Sequence, residues 1–160
     1  PDMIGGGLLD DFWGGTFDRE AFIRSAQVHA LAPMMQFSAA PWRVLSPEDF
    51  AIIRKAVAVR QKFAPYYVEL ARACAKSGEP MLRSMDYQFP GCGYETVTDQ
   101  FAMGDRLIVA PQLEKGAASR AVKIPAGTWR ADDGTVVTGP KEVTVKTPID
   151  RIPYFEIVKP

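Results

Sequence analysis

The sequence contains no asparagine, one histidine and two cysteines, and its 19 basic residues are cancelled by 19 acidic ones. Without asparagine there is no N-glycosylation acceptor. His29 alone cannot build a metal centre of the H-E-x-x-H type, and Cys74 and Cys92 stand far apart with no metal-type pairing. No metal and no cofactor is therefore expected, and both cysteines read as reduced. Net neutrality removes the electrostatic footprint of a nucleic-acid binder. No apolar run approaches the roughly 20 residues that span a bilayer, which excludes a membrane protein on that ground. The longest strand-like run is Leu107-Ile108-Val109-Ala110. The opening Pro1-Asp2-Met3 lacks the charged-then-apolar pattern of a signal peptide, and the compartment is not legible from it.

What is present is a balanced globular composition: 160 residues, 47% hydrophobic and 24% charged, enough for one ordinary domain or two small ones. Pro1 to Ile4 reads as a short strand that ends in Gly5-Gly6-Gly7. Residues Phe17 to Leu31 carry a helical period with Phe22, Ile23, Ala26 and Ala30 on one face. Pro33 to Phe37 reads as a buried strand. Ser46-Pro47-Glu48-Asp49 is a helix start, with a hydroxyl cap, proline at the first position and acids in the first turn. That helix should run to Gly78, with Pro65 kinking or splitting it. Pro80 to Met85 is a further strand candidate.

Beyond about residue 90 the character changes. Leu107 to Pro111, Ser119 to Ile124, Thr135 to Thr138, Val143 to Thr147 and Ile152 to Val158 are short β segments separated by Lys115-Gly116, Pro125-Ala126-Gly127, Asp132-Asp133-Gly134 and Gly139-Pro140. Strands so spaced predict an antiparallel sandwich or barrel. The first half alternates strand and helix, the pattern of parallel βα units. A closed barrel needs eight strands and about 250 residues, so this half cannot close alone.

The glycine triplet fits neither G-x-G-x-x-G nor G-x-x-x-x-G-K-[ST], and Asp10-Asp11 would repel a phosphate. Phe37-Ser38-Ala39 lacks the glycines of a nucleophile elbow, and His29 reads as a packing or surface residue. Asp18 reads as a helix cap. Asp2 differs, because an acid at the C-terminal end of a barrel strand is where barrel enzymes place substrate-binding groups. Phe12-Trp13 and Trp42 follow the first and second strands, where aromatic faces either stack on a sugar or pack under their own loops.

These residues resemble a known family. Pro1-Asp2-Met3-Ile4-Gly5-Gly6 resembles the D-I-G-G-F segment of glycoside hydrolase family 31, the α-glucosidase and α-xylosidase family. Gln27, Ala30, Ala32 and Pro33 are similar to its Q-x-G-A-F-x-P run. The helix with Arg54 and Pro65-Tyr66-Tyr67 resembles its R-x-x-L-L-P-Y-x-Y helix, and Glu79-Pro80-Met81-Leu82-Arg83-Ser84 its G-x-P-V-M-R-P-L segment. Asp99-Gln100-Phe101-Ala102-Met103-Gly104-Asp105 with Leu107 to Pro111 is similar to its D-x-Q-F-M-L-G-D-D-L-L-V-A-P signature. Lys123 to Trp129 and Pro148 to Phe155 resemble its L-P-x-G-x-W and P-L-x-x-I-P-V-F strands.

The resemblance implies an α/β portion followed by an all-β one: the last two βα units of a (β/α)8 barrel over residues 1–89, then a small antiparallel β-sandwich over 90–160. It implies a retaining α-glycosidase whose nucleophile and acid/base lie upstream, so no catalytic residue is expected here and the piece alone should be inactive. Asp2 matches the acid that bonds sugar hydroxyls. Ser38 stands where the family has a substrate histidine, and Gln36 and Trp42 complete the expected substrate contacts. That departure puts the usual α-glucose in doubt and leaves galactose- and xylose-type α-glycosides open. The partner implied is an α-glycoside, with self-association of the piece through unpaired barrel edges. The alternative is a non-catalytic carbohydrate-binding or scaffold module.

Overall fold

The computed structural model describes residues 17–159. Helix α1 (Arg19–Ala30) begins where Asp18 accepts the Ala21 N–H at 3.0 Å, the expected cap. Its buried face carries Phe22, Ile23, Ala26 and Ala30. After the short α2 (Pro41–Val44) comes the long α3 (Pro47–Ser77). Ser46 caps it by accepting the Asp49 N–H at 3.2 Å, and Gly78 ends it at φ 78°, a left-handed cap that suits glycine.

Pro65 does not split α3, which runs unbroken for 31 residues. Pro65 and Gln61 are both exposed, so the carbonyl that loses its donor is the one water can reach. The expected strand Pro33–Phe37 is not formed either. Phe37 makes an isolated bridge, while Pro33, Met34 and Gln36 are exposed. A parallel strand needs a ladder beside it, and no strand among the described residues pairs with this segment. The expected strand Pro1–Ile4 lies outside the described residues.

The strands β1 (Leu82–Ser84), β2 (Phe101–Met103), β3 (Leu107–Val109), β4 (Ser119–Ala131), β5 (Val136–Lys146) and β6 (Tyr154–Lys159) form one antiparallel sheet in the order β1-β2-β3-β6-β4-β5. The small helix α4 (Met85–Gln88) follows β1. The sequence pattern predicts two short strands on either side of Gly139-Pro140, and the structure has one, β5. The reason is a bulge opposite. Between Ile124↔Lys141 and Gly127↔Gly139, β4 advances three residues and β5 two, so β4 carries one extra residue. That residue flips the side-chain alternation. Val122 and Ile124 before the bulge and Trp129 and Ala131 after it therefore face the same side.

One hydrophobic core collects those four side chains with Val137 and Val145 of β5, Ile108 of β3 and Phe155 of β6. In place of the expected two-sheet sandwich, the described residues form a single antiparallel sheet whose bulged β4 encloses its own core. Alternation in β3 and β6 sends Leu107, Val109 and Tyr154 to the opposite face. There they meet Ala56, Phe63, Tyr66, Tyr67 and Leu70 of α3 in a second core. A third cluster joins Phe22, Ile23 and Ala26 of α1 to Ile53.

Polar clamps close the joints between these layers. Arg24 Nη2 donates to the Thr147 carbonyl at 2.8 Å, and Gln27 Nε2 to that of Ile149 at 2.6 Å, bolting α1 to the loop before β6. Arg151 holds the β4–β5 turn through a two-bond fork on Asp132, at 2.8 and 2.9 Å. No helix among the described residues is long and apolar enough to cross a membrane.

Two outcomes are expected. Gly104, at φ 55°, turns the β2–β3 hairpin directly under α3, and an added Cβ would lie 2.3 Å from the Tyr66 hydroxyl. Gly104→Ala should therefore destabilise by about 1–3 kcal/mol or more, measured as a lowered urea midpoint with the slope unchanged. The second concerns Asp49, buried in the first turn of α3, whose two oxygens take the Arg19 guanidinium. That bond, ahead of every other cause, holds the carboxyl below its ordinary 3.8. A carboxyl lowered by folding contributes stability above its ordinary value and loses it as pH falls through the lowered one. Asp49→Asn should flatten the fall in stability below about pH 4, read by acid titration of the unfolding midpoint.

Candidate functional site

Trp42 lies in the first turn of α2, preceded by Pro41 and 68% exposed. Its ring meets Phe50 of α3 edge-on, with centroids 6.2 Å apart and planes at 70°. Together with Phe37, Pro41, Arg54 and Gln61 these rings line an apolar groove of about 640 Å³. Phe37 is itself held by the Phe22 ring of α1, stacked at 6.3 Å. The structure thus brings Trp42 and the Phe37 segment together. Gln36 is exposed beside Phe37 and Ser38 is half-buried and held by an interaction within the chain, and neither lines the groove. Asp2, Phe12 and Trp13 lie outside the described residues.

The groove offers aromatic edges and the guanidinium of Arg54, with the Lys55 ammonium held by Asp150, and no carboxylate is among the described residues that line it. It can take an apolar or sugar-like face, and none of its described lining residues is an acid that could move a proton. Several carboxylates elsewhere are engaged in holding the fold. Asp18 meets Lys115 at 2.7 Å, Asp150 meets Lys55 at 2.8 Å and Glu156 meets Arg106 at 3.0 Å. The Lys115 ammonium, with the Ala21 N–H next, draws Asp18 below the ordinary carboxylate value, and Lys55 does the same for Asp150. Among the described residues no group of three or more His, Cys, Asp or Glu could hold a metal ion. His29 sets Nδ1 2.7 Å from the Ser25 carbonyl within its own helix. Both cysteines are free, Cys92 exposed and Cys74 half-buried.

Residues 99–105, which resemble a family signature in the sequence, act as a joint in the structure. Asp99 pairs with Arg120 at 2.6 Å. Gln100 Nε2 donates to the Lys123 carbonyl at 3.0 Å while its Oε1 accepts the Lys123 N–H at 2.9 Å, so one side chain imitates a strand neighbour. The Tyr66 hydroxyl reaches the Met103 carbonyl at 3.0 Å and Asp105 Oδ1 at 3.1 Å, and accepts the Arg106 N–H at 3.2 Å. Burial above all pushes its ionisation up to about 12, so it stays a neutral donor.

The residue that sequence reasoning missed is Arg60. In the sequence the helix motif is tied to Arg54, which lines the groove, whereas the spacing of R-x-x-L-L-P, with its arginine five residues before Pro65, falls on Arg60, which holds three carbonyls at the end of α1. The available signal was its spacing to Tyr67: seven residues, about two helical turns, place both on one face.

Residues 78–156 match the glycosyl hydrolase family 31 C-terminal domain. Over 166 aligned residues the chain is 37% identical to the myogenesis-regulating glycosidase of Mus musculus, with 97% of this chain and 23% of that protein covered. It is 30% identical to the SITS-binding protein of Tetronarce californica, over 83% of this chain and 19% of that one. A family 31 dextranase of Flavobacterium johnsoniae, solved with isomaltotriose, matches with a TM-score of 0.79 at 28% identity, over 87% of this chain and 18% of that one. The cycloalternan-degrading enzyme of Trueperella pyogenes matches with a TM-score of 0.79 at 25% identity, over 88% and 22%. The chain spans less than a quarter of the length of each of these proteins. Its order of motifs, its sheet and these likenesses agree: the chain belongs to glycoside hydrolase family 31, as part of the C-terminal portion.

Proposed function

We propose that this chain is the C-terminal portion of a retaining α-glycosidase that hydrolyses the O-glycosidic bonds of α-glycosides in carbohydrate metabolism, with both catalytic aspartates upstream of Pro1. Residues 1–89 are assigned to the last two βα units of a (β/α)8 barrel and 90–160 to the proximal β domain, with β1 and α4 as the passage between them. The observation that carries this reading is the groove beside Trp42, which has aromatic walls and no carboxylate among the described residues that line it. Retaining hydrolysis needs two carboxyl groups about 5–5.5 Å apart, one attacking the anomeric carbon and one protonating the leaving oxygen. A chain that presents a sugar-compatible surface without that pair needs the rest of its protein to react.

Within this reading Asp2 accepts bonds from sugar hydroxyls, charge-assisted and therefore strong. Gln36 and Ser38 bond further hydroxyls, and Trp42 offers a stacking face. Ser38 in place of the family's histidine favours a sugar other than α-glucose at the cleaved end, with galactose- or xylose-type α-glycosides as candidates. The exposure of Trp42 also favours a second reading, a carbohydrate-binding or scaffold module without chemistry.

The test compares the full-length protein with this chain alone on p-nitrophenyl α-glucoside, α-galactoside and α-xyloside. Turnover by the full-length protein and none by the chain is expected. Turnover by the chain that survives Asp2→Asn would overturn the upstream placement of the carboxylates. Retention on a soluble α-glucan in affinity electrophoresis, with no turnover by either protein, would favour the binding module. In the active full-length protein, Gln36→Ala and Ser38→Ala should each lower kcat/KM by about tenfold, the value of one lost hydrogen bond of roughly 1.4 kcal/mol.

A further inference from the structure

We propose that Arg60 is the positioning residue for the stretch Met34–Ser38, which the preceding reading assigns to sugar contact and on which this inference rests. The argument begins at the end of α1. A helix leaves its last carbonyls without successors, and many helices meet that need with a left-handed residue after the end. Here the cap is Leu31 at φ −112° and ψ 15°, which supplies no such turn. Side chains from α3 take over. Arg60 Nη1 donates to the carbonyls of His29 at 3.2 Å and Ala32 at 2.8 Å, and its Nη2 donates to that of Pro33 at 2.9 Å. The Tyr67 hydroxyl donates to the Ala30 carbonyl at 3.0 Å.

Four carbonyls on either side of Leu31 are therefore gripped by two side chains on one face of α3. The grip is itself braced. The Arg60 guanidinium lies 5.0 Å from the centroid of the Tyr67 ring, a cation over an aromatic face. Burial, above all, pushes Tyr67 up to about 12, which keeps its hydroxyl a donor. A guanidinium suits the place for two reasons. Its planar fork reaches several acceptors at once, and its charge complements the negative end of the α1 dipole.

Beyond Pro33 the chain is held by Met35, which packs against two of the cores, and then at Phe37, by an isolated bridge and by the Phe22 ring. Among the described residues no ladder holds the stretch between. The direction in which the chain leaves Pro33, and hence where Gln36 and Ser38 come to stand, is set at one end by Arg60. Displacement of a substrate-holding group by about 1 Å can cost on the order of 100-fold in rate. Arg60 would thus act on the sugar through other residues.

The experiment uses the full-length protein, with Arg60→Met, Arg60→Lys and, as a control on the exposed side of the same helix, Arg72→Met. Two readouts are taken: amide exchange of Leu31 and Ala32, whose N–H groups bond the Val28 and His29 carbonyls, by mass spectrometry, and kcat and KM on the p-nitrophenyl α-glycosides. Arg60→Met should speed that exchange at least tenfold and lower kcat/KM by about 10- to 100-fold, with both KM and kcat changed. Arg60→Lys keeps the charge without the fork and should recover part of each, while Arg72→Met changes neither. Should Arg60→Met not fold, Arg60→Lys carries both readouts.

Unchanged exchange, or faster exchange with kcat and KM intact and only the melting temperature lowered, would overturn the inference. If the unmodified protein turns over none of the glycosides, the functional reading fails separately, and the exchange readout still decides whether Arg60 holds the end of α1.

Discussion

The fold turns on the seating of α3 across the β2–β3 hairpin. Gly104 has no side chain at the point of closest approach, and the Tyr66 hydroxyl fills the space with bonds to Met103, Asp105 and Arg106. An apolar contact alone would let a 31-residue rod slide along a flat sheet, because burial is non-directional. A buried hydroxyl with three partners fixes the register, since slipping it would leave them unpaired. From that seating follow the placing of Phe63 and Leu70 over Leu107, Val109 and Tyr154, and the reach of Arg60 and Tyr67 toward α1.

The same helix belongs to both halves of the chain. Its core with β2, β3 and β6 includes Ala30 and Leu31 from the end of α1, so residues from before and after the composition change near position 90 share one interior. Arg24 and Gln27 add a polar bolt between α1 and the loop ahead of β6. The α-helical half and the sheet are joined by that shared interior and by these bonds.

Much of this was legible in the sequence. Ser46-Pro47 and Gly78 mark both ends of α3, Asp18 caps α1, and Phe22, Ile23, Ala26 and Ala30 lie on the buried face their spacing predicts. These are local signals, written within one or two turns of chain. What was not legible depends on contacts between elements. Gly139-Pro140 has the composition of a turn, and only the extra residue on β4 makes it the middle of a strand. Pro33 to Phe37 has the composition of a buried strand, and strand formation needs neighbours that no property of the segment supplies. The groove beside Trp42 follows a similar rule: Trp42 stands out in the sequence, whereas its partner Phe50 reads as one more apolar position on a helix. Asp99 to Asp105 resembles a family signature, and its spacing alone does not tell what its polar members hold. The structure uses that polarity to join β2 to Arg120, Lys123 and α3.

Strand β5 has a bearing on solubility. Among the described residues it runs 11 residues at the margin of the sheet and pairs with β4 along one side only. An open margin of that length is a template for a stranger's strand. Pro140 removes one amide from its middle, and Lys141 and Lys146 place positive charge along it. The bulge facing Gly139 also twists β4 and β5 away from flatness. The irregularity that closes the inner core therefore also makes the outer rim a poor surface for adding another chain, so one extra residue in β4 serves both packing within the molecule and separation between molecules.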